Sequence, residues 1–245
     1  MVQPFMKVDI WSDIACPWCY IGKRRFESAL AQFPHRESVE VTWHSYQLDP
    51  SLPEHYDGTE LDYLATRKGM AREQVEQMFG HVAQVAAGEG LAYDFDSLVV
   101  ANSLRGHELI HLAVHHGHQD AAKEALLSAH FEHGEDIGDV ETLVRIGESV
   151  GLDADEIRTS LADGTYARSV QDDIAQAQRY GISGVPFFVV DEKYGVSGAQ
   201  PTELFTQVLD QAWGEAHPLT MVSAPGATGA QGSDDAACGP DGCAI

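Results

Sequence analysis

The chain has 245 residues, 44% of them apolar, and its 38 acidic against 15 basic residues give a formal charge of −23. That length admits one large core, or one domain carrying an inserted subdomain. The acidic excess excludes the clustered Lys and Arg that nucleic acid or an anionic membrane surface would need, and no stretch approaches the ~20 apolar residues of a membrane span.

Residues 1–6 carry neither a basic region nor a long apolar run. No secretory signal is expected, and the expected location is the cytoplasm, where thiols stay mostly reduced. Four cysteines in two close pairs then favour redox chemistry over structural cross-linking. Residues 6–11 alternate apolar and polar and predict a strand, while Ile21, Phe26, Leu30 and Phe33 recur at helical spacing and predict a helix over 17–33.

Cys16-Pro17-Trp18-Cys19 therefore lies where a strand turns into a helix. A helix N-terminus offers unpaired N–H groups and a positive dipole end, which stabilise a thiolate at Cys16. Pro17 suits the first helical position, where a missing N–H costs nothing. Cys19 follows one turn later as a resolving thiol. The expected chemistry is thiol–disulfide exchange, with Cys16 exposed and of lowered pKa. Pro17 and Trp18 place an apolar pair between the cysteines, and Asp13 opposes a nearby thiolate. Lys23, Arg24 and Arg25 are expected on a solvated face. A zinc site is the alternative for such a cysteine pair, but it needs a second pair of comparable spacing.

Residues 39–46 alternate again and predict a second strand, stopped by Asp49-Pro50-Ser51-Leu52-Pro53. From about 59 to 166 helical periodicity takes over, as in Val75, Met78, Phe79, Val82, Val85 and Ala86. Five or six helices are expected there. Gly69, Gly88, Gly117, Gly134, Gly151 and Gly164 are candidate C-caps, and Asp153 to Glu156 reads as a capping box. His107-Glu108-Leu109-Ile110-His111 matches the H-E-x-x-H pattern of zinc hydrolases. Its bland reading, histidines packed between helices, is preferred in a chain with 12 histidines. A helix over 168–180, a buried strand at 187–190, a hairpin partner near 195–198 and a last helix from Pro201 to about Trp213 complete the order.

The expected fold class is α/β, a thioredoxin-like fold with a large all-helical insertion between the second strand and the third thioredoxin helix. The expected division is a discontinuous domain over 1–48 and 166–217, an insertion over 49–165 and a flexible tail over 218–245. In the tail, Cys238 and Cys243 flank Gly239-Pro240-Asp241-Gly242, which favours a tight turn. About 25 residues separate that pair from the last helix, a tether with an r.m.s. reach of roughly 25–30 Å. Cys238 and Cys243 are expected to act as a second redox couple. A dispensable tail, or a weak soft-metal site helped by Asp234, Asp235 or Asp241, are the alternatives.

Three separated stretches, 13–23, 130–138 and 181–188, resemble the DsbA-like thioredoxin family, and within it the FrnE-like cytoplasmic branch. The likeness covers about residues 6–213. It implies a cis peptide between Val185 and Pro186, opposite the cysteines. It implies a disulfide oxidoreductase or isomerase that needs neither metal nor organic cofactor. Protein or small-thiol disulfides are the expected substrates and a glutathione or thioredoxin-type partner the electron source, with a role in oxidative stress. A glutathione-using isomerase and kappa-class transferase group resembles the chain in its helical insert but relies on a single active-site Ser or Cys. The intact Cys16 and Cys19 depart from that pattern. A redox-regulated chaperone or thiophilic-metal buffer is a further class, and it would not need Cys19.

Overall fold

The computed structural model describes residues 6–54 and 56–218; the expected redox couple of Cys238 and Cys243 lies outside them. In chain order the elements are β1 (Met6–Ser12), α1 (Pro17–Gln32), β2 (Val39–Ser45), α2 (Glu60–Arg67), α3 (Arg72–Gly88), α4 (Leu104–His115), α5 (Gln119–His133), α6 (Val140–Ser149), α7 (Ala154–Asp163), α8 (Ala167–Arg179), β3 (Phe187–Val190), β4 (Tyr194–Ser197) and α9 (Thr202–Ala216). The order read from the sequence is the order observed, with six helices between β2 and α8.

Period-two alternation in the strands explains the layering. The sheet runs β2-β1-β3-β4, parallel between β1 and β2 and antiparallel across the other two pairs. Val8 and Ile10 of β1 and Phe188 and Val190 of β3 face α1 and α9, where Phe26, Phe33, Phe205 and Leu209 complete one core. The intervening residues Trp11 and Val189 face the other way and meet Ala177 of α8 and Ile182.

The insertion has its own core, built by α4 to α7 around Leu109, Leu126, Leu143 and Ile157. A further cluster joins it to α1, where Tyr20 and Ile21 pack on Val82 and Ala86 of α3 and on Leu127 and Phe131 of α5. Helix boundaries follow local chemistry. Asp153 caps α7 by accepting the N–H groups of Asp155 and Glu156 at 3.0 and 2.9 Å, and a reciprocal capping box forms at Thr59 and Asp62. One expected cap is displaced: α3 runs through Gly88, and Gly90 takes the left-handed conformation at φ 79°.

The basic run on α1 departs from expectation. Lys23 is buried, held by Glu27 on its own helix and by Asp120 and Glu124 of α5. Arg24 pairs with Glu124, and Arg25 reaches Glu89 at 2.6 Å and the Ala199 carbonyl at 2.7 Å. Partners about a hundred residues away turn this face into a latch between α1 and the insertion.

Candidate active site

β1 ends at Ser12, and Asp13, Ile14 and Ala15 carry the chain into α1. Cys16 is the N-cap residue, extended at φ −103° and ψ 111°, with Pro17 opening the helix. The turn is held from several sides. Asp13 accepts hydrogen bonds from the N–H groups of Leu48 at 2.7 Å and Ala15 at 3.3 Å, and from Nε2 of His107 at 3.3 Å. Ile14 plugs into the insertion core, where a Cβ on Gly106 of α4 would stand 2.6 Å from its Cδ1. The Tyr93 hydroxyl donates to the Pro17 carbonyl at 2.7 Å.

The Val185-Pro186 peptide is cis. The Cys16 thiol points at the Val185 carbonyl, 3.6 Å away. Gly22 permits this approach, since a Cβ there would lie 2.9 Å from Pro186 Cγ. The Val185-Pro186 peptide thus stands against the turn that carries Cys16 and Cys19.

The electrostatics differ from expectation at Cys16. Its hydrogen bond with Cys19, its burial and the Asp13 carboxylate push this thiol well above the ordinary range. Burial opposes a thiolate at Cys19 too, but the Cys16 thiol, the Lys123 ammonium and the Ser12 hydroxyl outweigh it and bring Cys19 below its ordinary value. The two thiols face each other and titrate as a pair. The partner thiol, burial and Asp13 thus oppose the lowered pKa expected for Cys16 at the helix N-terminus.

The expected exposure of Cys16 is not found, since both cysteines are buried. Cys19 is fully so, whereas Cys16, 4% exposed, lines a cavity of about 340 Å³ between the dithiol turn and the insertion. Pro17, Trp18 and Val185 form one wall, and Met78, Phe79 and Val82 of α3 form another. Of the pair, only Cys16 lines it.

Sequence reasoning missed Ser12 and Lys123. Lys123 precedes Leu126 and Leu127 on α5 at a spacing that reads as the edge of a solvated face, yet it is 1% exposed and donates to the Ser12 carbonyl at 3.4 Å. His130 lines the cavity, and burial lowers it to about 4, so it is neutral.

The H-E-x-x-H residues serve separate partners. His107 donates to Asp13, and burial keeps it neutral despite that carboxylate. His111 meets Asp173 Oδ2 at 3.1 Å and Ser45 Oγ at 3.2 Å. Among the described residues no group of three or more His, Cys, Asp or Glu is arranged to hold a metal. None of the described helices is long and apolar enough to cross a membrane.

Residues 7–210 match the DSBA-like thioredoxin domain family. The chain is 45% identical to a probable DsbA oxidoreductase from Streptomyces coelicolor, with a TM-score of 0.83 over 98% of this chain and 99% of that one. It is 25% identical to the uncharacterized protein YwbO of Bacillus subtilis (strain 168), over 82% of this chain and 94% of the relative. The cytosolic disulfide reductase DsbM of Pseudomonas aeruginosa, in a structure with GSH, superposes with a TM-score of 0.60 at 17% identity over 84% and 98% of the two chains, a likeness of fold.

Proposed function

From the premise that the chain belongs to the DSBA-like thioredoxin domain family, we propose that it is a thiol–disulfide oxidoreductase in which Cys16 attacks and Cys19 resolves. The observation that carries this reading is the division of labour in the pair: Cys16 lines the cavity beside Val185, and Cys19 is sealed beneath it.

The exchange starts from the dithiol. When a disulfide R–S–S–R′ reaches the cavity, Cys16 gives its proton to solvent and becomes the nucleophile. Its sulfur forms a bond to one substrate sulfur, the substrate S–S bond breaks, and the leaving thiolate takes a proton from solvent. Cys19 then loses its proton and attacks Cys16, releasing the second thiol and leaving a Cys16–Cys19 disulfide. The enzyme is oxidised by two electrons and the substrate is reduced by two. Release before the second attack permits isomerisation, and reversal makes disulfides.

Disulfide-bonded proteins and small disulfides are the proposed substrates, with Pro186 and Val185 presenting backbone to an incoming chain. A small thiol or a thioredoxin-type protein would return the dithiol; the fold shared with DsbM, whose structure includes GSH, supports a small thiol in that role. Repair of oxidised proteins in the cytoplasm, as expected of the FrnE-like branch, is the setting we favour.

The test is turnover of a mispaired disulfide protein in a thiol buffer. Cys16→Ser should abolish it, and Cys19→Ser should trap substrate as a mixed disulfide on Cys16, visible as a thiol-sensitive mass adduct. Equal turnover in both variants and the wild type would overturn the proposal.

A further inference from the structure

The cavity that Cys16 lines is also lined by carboxylates. Glu60, the first residue of α2, lines it together with Asp49 and Lys68. Lys68 is already engaged, its Nζ 3.1 Å from Asp49 Oδ2, and the Tyr63 hydroxyl donates to the same oxygen at 2.7 Å. Glu60 makes no hydrogen bond or ion pair among the described residues. Burial lifts its carboxyl to about 7, against the pull of Lys68. His130, the other basic side chain on the cavity wall, is neutral and offsets nothing. Much of the remaining lining is apolar, with Met78, Phe79, Val82, Phe95 and Leu98.

We propose that this cavity takes a low-molecular-weight disulfide whose apolar arm ends in a primary amine, with its sulfur at Cys16, its arm against α3 and its ammonium at Glu60. The inference rests on the exchange chemistry proposed above and names the substrate class for it. The size is that of a small-molecule site. An ammonium near Glu60 gains a charge-assisted hydrogen bond and restores the carboxylate. Glutathione, with two carboxylates against one amine, carries the wrong charge for that end. The reaction is the balanced one already given: one disulfide and the dithiol yield two small thiols and the Cys16–Cys19 disulfide.

The experiment is single-turnover oxidation of the reduced full-length chain, followed by tryptophan fluorescence. The probes are symmetrical disulfides with arms from propyl to octyl, ending in amine, hydroxyl or carboxylate. At neutral pH the amine series should exceed the carboxylate series by about tenfold or more in second-order rate. Each added methylene should raise the rate by up to roughly fourfold until the arm spans the cavity. Glu60→Gln should reduce the amine preference to within about twofold, and Glu60→Lys should reverse it. Glu73→Gln, on the exposed side of α3, should leave the preference intact.

Equal rates for amine and carboxylate probes, or a preference that survives both Glu60 variants with unchanged circular dichroism, would overturn the proposal while leaving the exchange reading standing. Oxidation of Cys16→Ser as fast as the wild type by every probe would bring down both.

Discussion

The ammonium of Lys123 occupies an unusual place for a lysine: 1% exposed, 3.4 Å from the Ser12 carbonyl and 5.9 Å from the centre of the Trp43 ring. Burial lowers it to about 8, although Cys19 and Asp13 pull the other way. After the hydrogen bond from Cys16, its charge is the largest influence lowering the Cys19 thiol. Removing that charge while keeping the bulk, as in Lys123→Met, should raise the Cys19 pKa, seen as an upward shift of the thiolate ultraviolet absorbance with pH. Since the resolving step needs a Cys19 thiolate, that step should slow by about tenfold or more. The first attack, by the cavity-facing Cys16, should slow less, so mixed disulfide should accumulate during turnover. An unchanged thiolate titration in Lys123→Met would remove Lys123 from the mechanism. Nothing in the sequence marked this residue. A lysine flanked by Ala122 and Glu124 is the ordinary composition of a solvated helix edge, and only the docking of α5 under β1 converts it into a buried cation.

At the scale of elements, α8 is tied to the sheet by a hydrogen-bonded set of charges. His44 of β2 stands between Asp173 of α8 and Asp9 of β1, 2.8 Å from each, while Asp173 also accepts the Ser45 N–H at 2.8 Å. The His44 ring stacks on Trp11, whose Nε1 donates to the Asp173 carbonyl. Burial disfavours the charged ring, but Asp173 and Asp9 prevail and raise His44 to about 9. A histidine whose folded pKa lies above its unfolded value near 6.5 lends stability below pH ~6.5 and loses it as pH rises through about 9. The contribution is about 3 kcal/mol, read from the shift from 6.5 to about 9. Asp173 is the same interaction seen from its partner, held well below the ordinary carboxylate range. Its share is present above the ordinary carboxylate pKa and is lost as pH falls through the folded value. Thermal melts from pH 6 to 10 should therefore show a fall in Tm between about 6.5 and 9 that His44→Gln lacks; parallel curves for the two proteins would disprove it. This is also where sequence reading reached its limit. The strands were legible because Val8, Ile10, Val39 and Val41 alternate, and the helices because glycines and Asp caps punctuate an apolar period. His44 and His111 carried no such signal. Their partner Asp173 lies on another element, and pairings across elements have no period to read.

The whole molecule places the Cys16 sulfur against a cavity in a strongly acidic protein. Two electrostatic effects act on an approaching disulfide, and they differ in range. The field of a chain with formal charge −23 extends into solvent, attracts cations and repels anions, and decays over a Debye length of ~10 Å at 0.1 M salt. The contact at Glu60 is local and sheltered, and salt screens it far less. Raising the salt from about 0.02 to 0.5 M, which shortens the screening length several-fold, should slow oxidation by amine-ended disulfides and speed it by carboxylate-ended ones. The two rates should converge without meeting, because the Glu60 contribution persists after the long-range field is gone. In Glu60→Gln the same titration should bring them together at high salt. Stopped-flow rates across the salt series separate the two contributions: a salt dependence identical for both probe charges would mean that the acidic surface does not reach the cavity mouth. A full convergence in the wild type would mean that the preference is steering alone, with no recognition by Glu60 inside.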